Sequence, residues 1–216
     1  CWTVWHPPTG PYTTYKNHPS RFVSEYGIQS MPNYETLVEY LPEQALASPN
    51  SYLMDLHERN DVYDGGIAKI AYYVLQDMPY PNDTWQFVYA SQLTQGEALG
   101  YGAERWRRQY GNCMGVLYWQ LNDCWPAPTW SSLHYKGRRK AAHYSAKRLF
   151  RPLLVSAVDN GENSDIWSVN HLPKTAEGDL PRLLLHTAPA VRRDGGNKAT
   201  SEAPQATCLA TRALSA

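Results

Sequence analysis

Apolar residues recur along this chain at two spacings, and the alternation between them lays out its elements. Phe22 and Val23 sit in a short strand-length run, residues 20–25, that ends at Glu25 in RFVSEYG, and both are expected to be buried. MGVLYWQL, residues 114–121, is almost unbroken apolar sequence, the pattern of a strand in a parallel sheet covered on both faces. Between these runs the spacing is helical. Leu37 and Val38 mark a helix over 34–40 behind Pro32 and Asn33, and Ile67, Ile70, Ala71 and Val74 mark another from Gly66 to Gln76. Trp85, Val88, Leu99, Ala103 and Trp106 then predict a long helix to about Tyr110, with Asn82, Asp83 and Thr84 offering its N-cap. Gly96, Gly100 and Gly102 count against that helix, each costing about 1 kcal/mol relative to alanine. Residues 137–149 return to helical spacing through Ala141, Ala142, Tyr144, Ala146 and Leu149, whereas 41–64 read as irregular and polar.

From Arg151 the period changes again. PLLVSAV and DIWSVNHLP are short β-like runs separated by DNGENS, a strong turn. Beyond residue 187, Ala, Thr, Ser, Gly and Arg follow one another without usable periodicity, the composition of loosely packed chain. Strand, helices, strand, helix, with polar motifs at the strand ends, is the order of a (β/α) barrel segment. The fold class expected is therefore α/β: residues 1–150 as the C-terminal portion of a (β/α)8 TIM barrel, and 151–186 as the start of a β-sandwich-like, immunoglobulin-like domain. Residues 187–216 are expected to be a divergent, disordered tail.

Charge narrows the partners. Lys plus Arg and Asp plus Glu both number 20, so the net charge is zero and nothing favours nucleic acid or an anionic membrane. No apolar stretch reaches the roughly 20 residues that span a bilayer, and the N-terminus lacks a signal-peptide pattern, so a soluble protein, cytoplasmic or secreted, is expected. Cys1, Cys113, Cys124 and Cys208 are scattered and read as buried or free thiols. Neither a zinc-binding spacing nor a nucleotide-binding glycine motif occurs, so no metal and no cofactor are expected. Trp and Tyr number 8 and 16 against 3 Phe, a bias toward rings with a flat apolar face and a polar edge. Such rings suit sugar-binding walls, and equally suit ordinary core packing.

The candidate chemistry lies at the strand ends. A carboxylate at the end of an apolar strand is partly desolvated, which fits Glu25 as nucleophile or general base, or as the ion-pair partner of Arg21. Trp119 and Gln120 close the second strand, and Asn122 and Asp123 follow at once. That group of a ring and hydrogen-bonding side chains suits a hydroxyl-rich ligand, or simply caps the loop. Trp125 and Trp130 read as loop packing. Trp2, Trp5 and His6 stand together in CWTVWH before a Pro- and Gly-rich loop.

RFVSEYGIQSMP and GVLYWQLNDCWPAPTWSSLHYKGRRKAAHY together resemble the C-terminal part of the catalytic barrel of family 2 glycoside hydrolases, specifically the β-mannosidases. The resemblance covers residues 1–158 well and thins to about 185. It implies a retaining exo-hydrolase that removes terminal β-linked mannose from oligosaccharides, with Glu25 of the S-E-[FY]-G motif as nucleophile and Trp119 as a wall of the mannose pocket. It also implies that Trp2, Trp5, His6, Gln29, Asn122 and Asp123 face the sugar. The acid/base Glu of this family follows an Asn at an earlier strand end, and no Asn-Glu pair occurs in these 216 residues. The chain is thus expected to be a fragment with little activity alone, since losing a general acid costs a factor of about 100 to 10,000. A non-catalytic carbohydrate-binding fragment, or another family 2 activity such as β-galactosidase or exo-glucosaminidase, are the alternatives.

Overall fold

The computed structural model describes every residue except 7–9, 61–64, 162, 186–190 and 214–216. The described chain forms two compact units, residues 1–106 with 112–150 and residues 107–111 with 151–216.

In the first unit, the two apolar runs lie side by side and parallel. Met114 N donates to Arg21 O, Val23 N to Gly115 O, Leu117 N to Val23 O and Trp119 N to Tyr26 O, at 2.8–2.9 Å, with Val23 and Val116 as a parallel bridge. The pleat turns alternate residues to opposite faces. Val23 is buried as expected, but Phe22 is 56% exposed. Leu117, Trp119 and Leu121 are likewise exposed, so the second run is covered on one face, not both.

Helices pack around this pair. α1 (Tyr34–Tyr40) and α4 (Gly66–Asp77) form where the apolar spacing marks them; α1 buries Leu37 but leaves Val38 53% exposed, and α4 buries Ile67, Ile70, Tyr73 and Val74. The stretch read as irregular holds two short helices, α2 (Glu43–Leu46) and α3 (Tyr52–His57), the latter capped by Ser51, whose side chain accepts from Met54 N. Each is too short for a period to show.

α5 (Thr84–Arg107) is the long helix. The Asp83 side chain accepts from Gln86 N at 2.7 Å, and the Gln86 side chain accepts from Asn82 N at 2.9 Å, a reciprocal pair of caps. One of its glycines has a packing reason: a Cβ on Gly102 would come within 2.8 Å of the Tyr26 and Trp106 rings. α6 (Ala141–Leu149) starts four residues later than the spacing suggests. The preceding residues are taken up by a turn through Gly137, at φ 81°, in which Lys140 N donates to Ser132 O.

The second unit is antiparallel. β1 (Leu153–Asp159) and β2 (Asn163–Asn170) form a hairpin in register from Leu153 opposite Asn170 to Asp159 opposite Ser164. β3 (Ala176–Leu185) pairs with β4 (Val191–Ser201), and β5 (Gln205–Ala213) adds to β2, giving the order β1-β2-β5. β4 and β5 correct the expectation of a disordered tail. Their small and polar side chains give no periodic signal, yet an antiparallel ladder is held by backbone bonds that any side chain permits. Positions 187–190 and 214–216 of that tail, and position 186 before it, lie outside the described residues. No helix among the described residues is long and apolar enough to cross a membrane.

Candidate active site

The parallel pair delivers two chain ends to one place. Because Trp119 N donates to Tyr26 O, the loop after 114–119 starts beside the residue that follows Glu25. The approach is tight: a Cβ on Gly27 would lie 2.3 Å from Trp119 O. Glycine is therefore the residue that lets the two strand ends close up, which explains the S-E-Y-G order. The Trp119–Gln120 peptide is cis, and the Trp119 side chain is 41% exposed at this end.

Glu25 is half-buried. Its Oε2 accepts a hydrogen bond of 2.9 Å from the indole Nε1 of Trp2, a charge-assisted contact that fixes one carboxylate oxygen. Trp2 belongs to a ring cluster with His6, 5.8 Å away, and with Trp130, 6.1 Å away and edge-on. Trp130 also meets Trp5 at 6.0 Å and His6 at 6.2 Å, and its ring edge lies near Gly27. Glu25, Gly27, Trp2, His6 and Trp130 are thus one cluster, with Trp119 attached through its backbone.

Three residues expected at the sugar surface, Trp5, Gln29 and Asp123, are not at a surface. Trp5 is wholly buried, stacked on Tyr73 at 5.6 Å and 20°, with its indole N–H donating to Asn60 Oδ1 at 3.0 Å. Gln29 is 1% exposed, and its Nε2 donates to Glu58 Oε1 at 2.6 Å. Trp5 joins the cluster from within the core, edge-on to His6 and Trp130, and Gln29 is tied to the Glu58 carboxylate.

Asn122 and Asp123 part company. Asn122 is exposed, whereas Asp123 is buried with Oδ1 accepting from Thr129 Oγ1 at 2.5 Å and Oδ2 from Ser131 Oγ at 2.7 Å. Burial pushes its carboxyl up, opposed by the nearby Lys140 cation and those two hydroxyls. Lys140 is itself fully buried, donates to Ser30 O and Thr129 O, and is brought down to about 7 by desolvation, with Asp123 opposing. This polar knot fixes the loop that carries Trp130. The exposed surface of the same loop is pinned by Glu39, which accepts from Lys136 at 2.8 Å and from Arg138.

Three participants carry no signal in the sequence pattern. Glu58 and Asn60 lie in the stretch read as irregular, and Trp130 reads as loop packing. Their partners lie 29, 55 and more than 120 residues away, so only the folded chain reveals them.

No family model matches the sequence. β-Mannosidase B of Emericella nidulans is 34% identical over 184 residues, covering 83% of this chain and 21% of that protein. The corresponding protein of Aspergillus niger is 33% identical over the same length. The β-D-mannosidase of Dictyoglomus thermophilum superposes with a TM-score of 0.90 at 28% identity, over 100% of this chain and 26% of that one. The exo-chitosanase of Amycolatopsis orientalis superposes at 0.75 with 18% identity, over 93% of this chain and 25% of that one, a likeness of fold alone. The chain spans about a fifth of the length of the curated relatives it matches.

Proposed function

Because this chain is a relative of the β-mannosidases along its aligned length, we propose that the protein carrying it is a retaining exo-β-mannosidase and that Glu25 is its nucleophile. The observation that carries this reading is the Trp2 indole bound to Glu25 Oε2 at the parallel strand ends where Trp119 also emerges. One carboxylate oxygen is held and oriented, and the other is left to react. On this reading the first unit is the closing part of a (β/α)8 barrel, whose chemistry sits at the C-terminal strand ends, and the second opens a β-sandwich.

The steps balance with two carboxyls. Glu25 attacks the anomeric carbon of a terminal β-mannosyl residue, the glycosidic C–O bond breaks, and the leaving oxygen takes a proton from a second carboxylic acid about 5–5.5 Å away. That second group, now a carboxylate, removes a proton from water, which displaces Glu25 and releases mannose with its configuration kept. The proposal assigns the nucleophile and the ring walls to this chain; no Asn-Glu pair occurs in it to supply the second carboxyl.

The test is turnover of an aryl β-mannoside by the protein isolated from its source, with the first-formed anomer read by NMR. We expect β-mannose first, and loss of turnover by several orders of magnitude in Glu25→Gln. α-Mannose first, or a Glu25→Gln protein that turns over like the wild type, contradicts the assignment.

A further inference from the structure

Residues 57–60, at and just past the end of α3, touch Trp5, Gln29 and the Trp125–Pro126 segment, and their side chains alternate in what they hold. His57 stacks on Trp125 at 5.3 Å and 14°, and its Nδ1 donates to Pro126 O at 2.8 Å. The Arg59 guanidinium lies 4.7 Å from the same Trp125 ring. Glu58 and Asn60 turn the other way. Glu58 is 8% exposed, and its Oε1 accepts from both Gln29 Nε2 and Asn60 N, at 2.6 and 2.7 Å. Asn60 Oδ1 in turn holds the Trp5 indole. The extended backbone at Glu58, φ −72° and ψ 138°, produces this alternation directly.

Glu58 is placed at a cost and with compensation. Burial raises its carboxyl, opposed by the hydrogen bonds from Gln29 and from the backbone of Asn60. A Cβ on Gly66 would fall 1.9 Å from the Glu58 carboxyl carbon, so glycine at that position lets the carboxylate lie on the first residue of α4, where the helix end favours negative charge. Both donors are held by the single oxygen Oε1.

We propose that Glu58 and Asn60 are positioning residues for the sugar pocket: through Trp5 and Gln29 they set the wall formed by Trp2, His6 and Trp130 against Glu25, while His57 and Arg59 fasten the same segment to the Trp125 loop. The inference rests on the β-mannosidase reading and deepens it. Neither residue touches the reacting atoms, and their effect is geometric, where a displacement of about 1 Å costs on the order of 100-fold.

The experiment measures the second-order rate of covalent labelling of Glu25 by a 2-deoxy-2-fluoro-β-mannosyl fluoride in the protein isolated from its source and in its variants. Asn60→Ala and Glu58→Ala are expected to label about 10- to 100-fold more slowly. Glu58→Gln, whose amide oxygen still accepts from both donors, is expected to stay within about 3-fold of wild type, a rescue that loss of folding would not show. Trp5→Phe, lacking the indole N–H, is expected to resemble Asn60→Ala, and the double variant to be no slower than Asn60→Ala alone. Folded Asn60→Ala labelling at the wild-type rate, or losses that add in the double variant, overturn the inference while leaving the enzyme reading intact. No label on Glu25 in the wild-type protein overturns the enzyme reading, and this inference with it. If Glu58→Ala does not fold, the Asn60 and Trp5 variants decide.

Discussion

The Trp2 indole and the Gly27 backbone act on the same strand end in different ways, and each yields a prediction. Trp2→Phe keeps a ring beside Trp130 but removes the donor to Glu25 Oε2. A hydrogen bond to a charged group contributes about 1.5–3 kcal/mol, so labelling or turnover should fall about 10- to 100-fold, in a protein whose circular dichroism shows it still folded. Gly27→Ala should act through the backbone: its Cβ meets a backbone oxygen, Trp119 O, at 2.3 Å, which cannot give way as a flexible side-chain end would. Overpacking of this type costs about 1–3 kcal/mol, and urea unfolding should show it along with the loss of activity. Of these residues, Glu25 and Gly27 are legible in the sequence because the S-E-Y-G motif is local. The Trp2 contact to Glu25 spans 23 residues and the Asn60 contact to Trp5 spans 55, so composition can suggest aromatic walls without saying which rings meet.

Elements were legible where a period had room to repeat. α4 buries Ile67, Ile70 and Val74 as its spacing marks, α1 buries Leu37 but leaves Val38 exposed, and Asp83 caps α5 as its position suggests. α2 and α3, with 4 and 6 residues, are set by tertiary contact, and β4 and β5 by backbone pairing to neighbouring strands. The loop between residue 119 and α6 shows the same dependence on long-range partners. Lys140→Met removes the donor to Ser30 O and Thr129 O and the cation near Asp123. Breaking a buried charged group from its partners costs about 3–5 kcal/mol, which a denaturant midpoint will report. His134 in this loop, bonded through Nδ1 with Thr36 Oγ1 at 3.3 Å, is lowered from 6.5 to about 4, by burial first and by Arg138 next. Between those values the unfolded chain binds a proton that the folded one does not, so stability falls as pH drops from 6.5 toward 4. His134→Gln should flatten that acid limb in melting curves recorded at pH 7 and pH 5.

At the scale of the whole molecule, the account turns on whether the strand ends at Glu25 and Trp119 form a working glycosidase site in the protein that carries this chain. The parallel pair and the ring cluster lead to one group, the Glu25 carboxylate that Trp2 holds through Oε2. The most direct measurement is to quench the protein during reaction with a 2-deoxy-2-fluoro-β-mannosyl fluoride, digest it, and locate the attached sugar by mass spectrometry. The account predicts a single fluoromannosyl group on the peptide containing Glu25, released when a glycosyl acceptor is added. A label on any other residue, or turnover of aryl β-mannosides with Glu25 unlabelled, would contradict it.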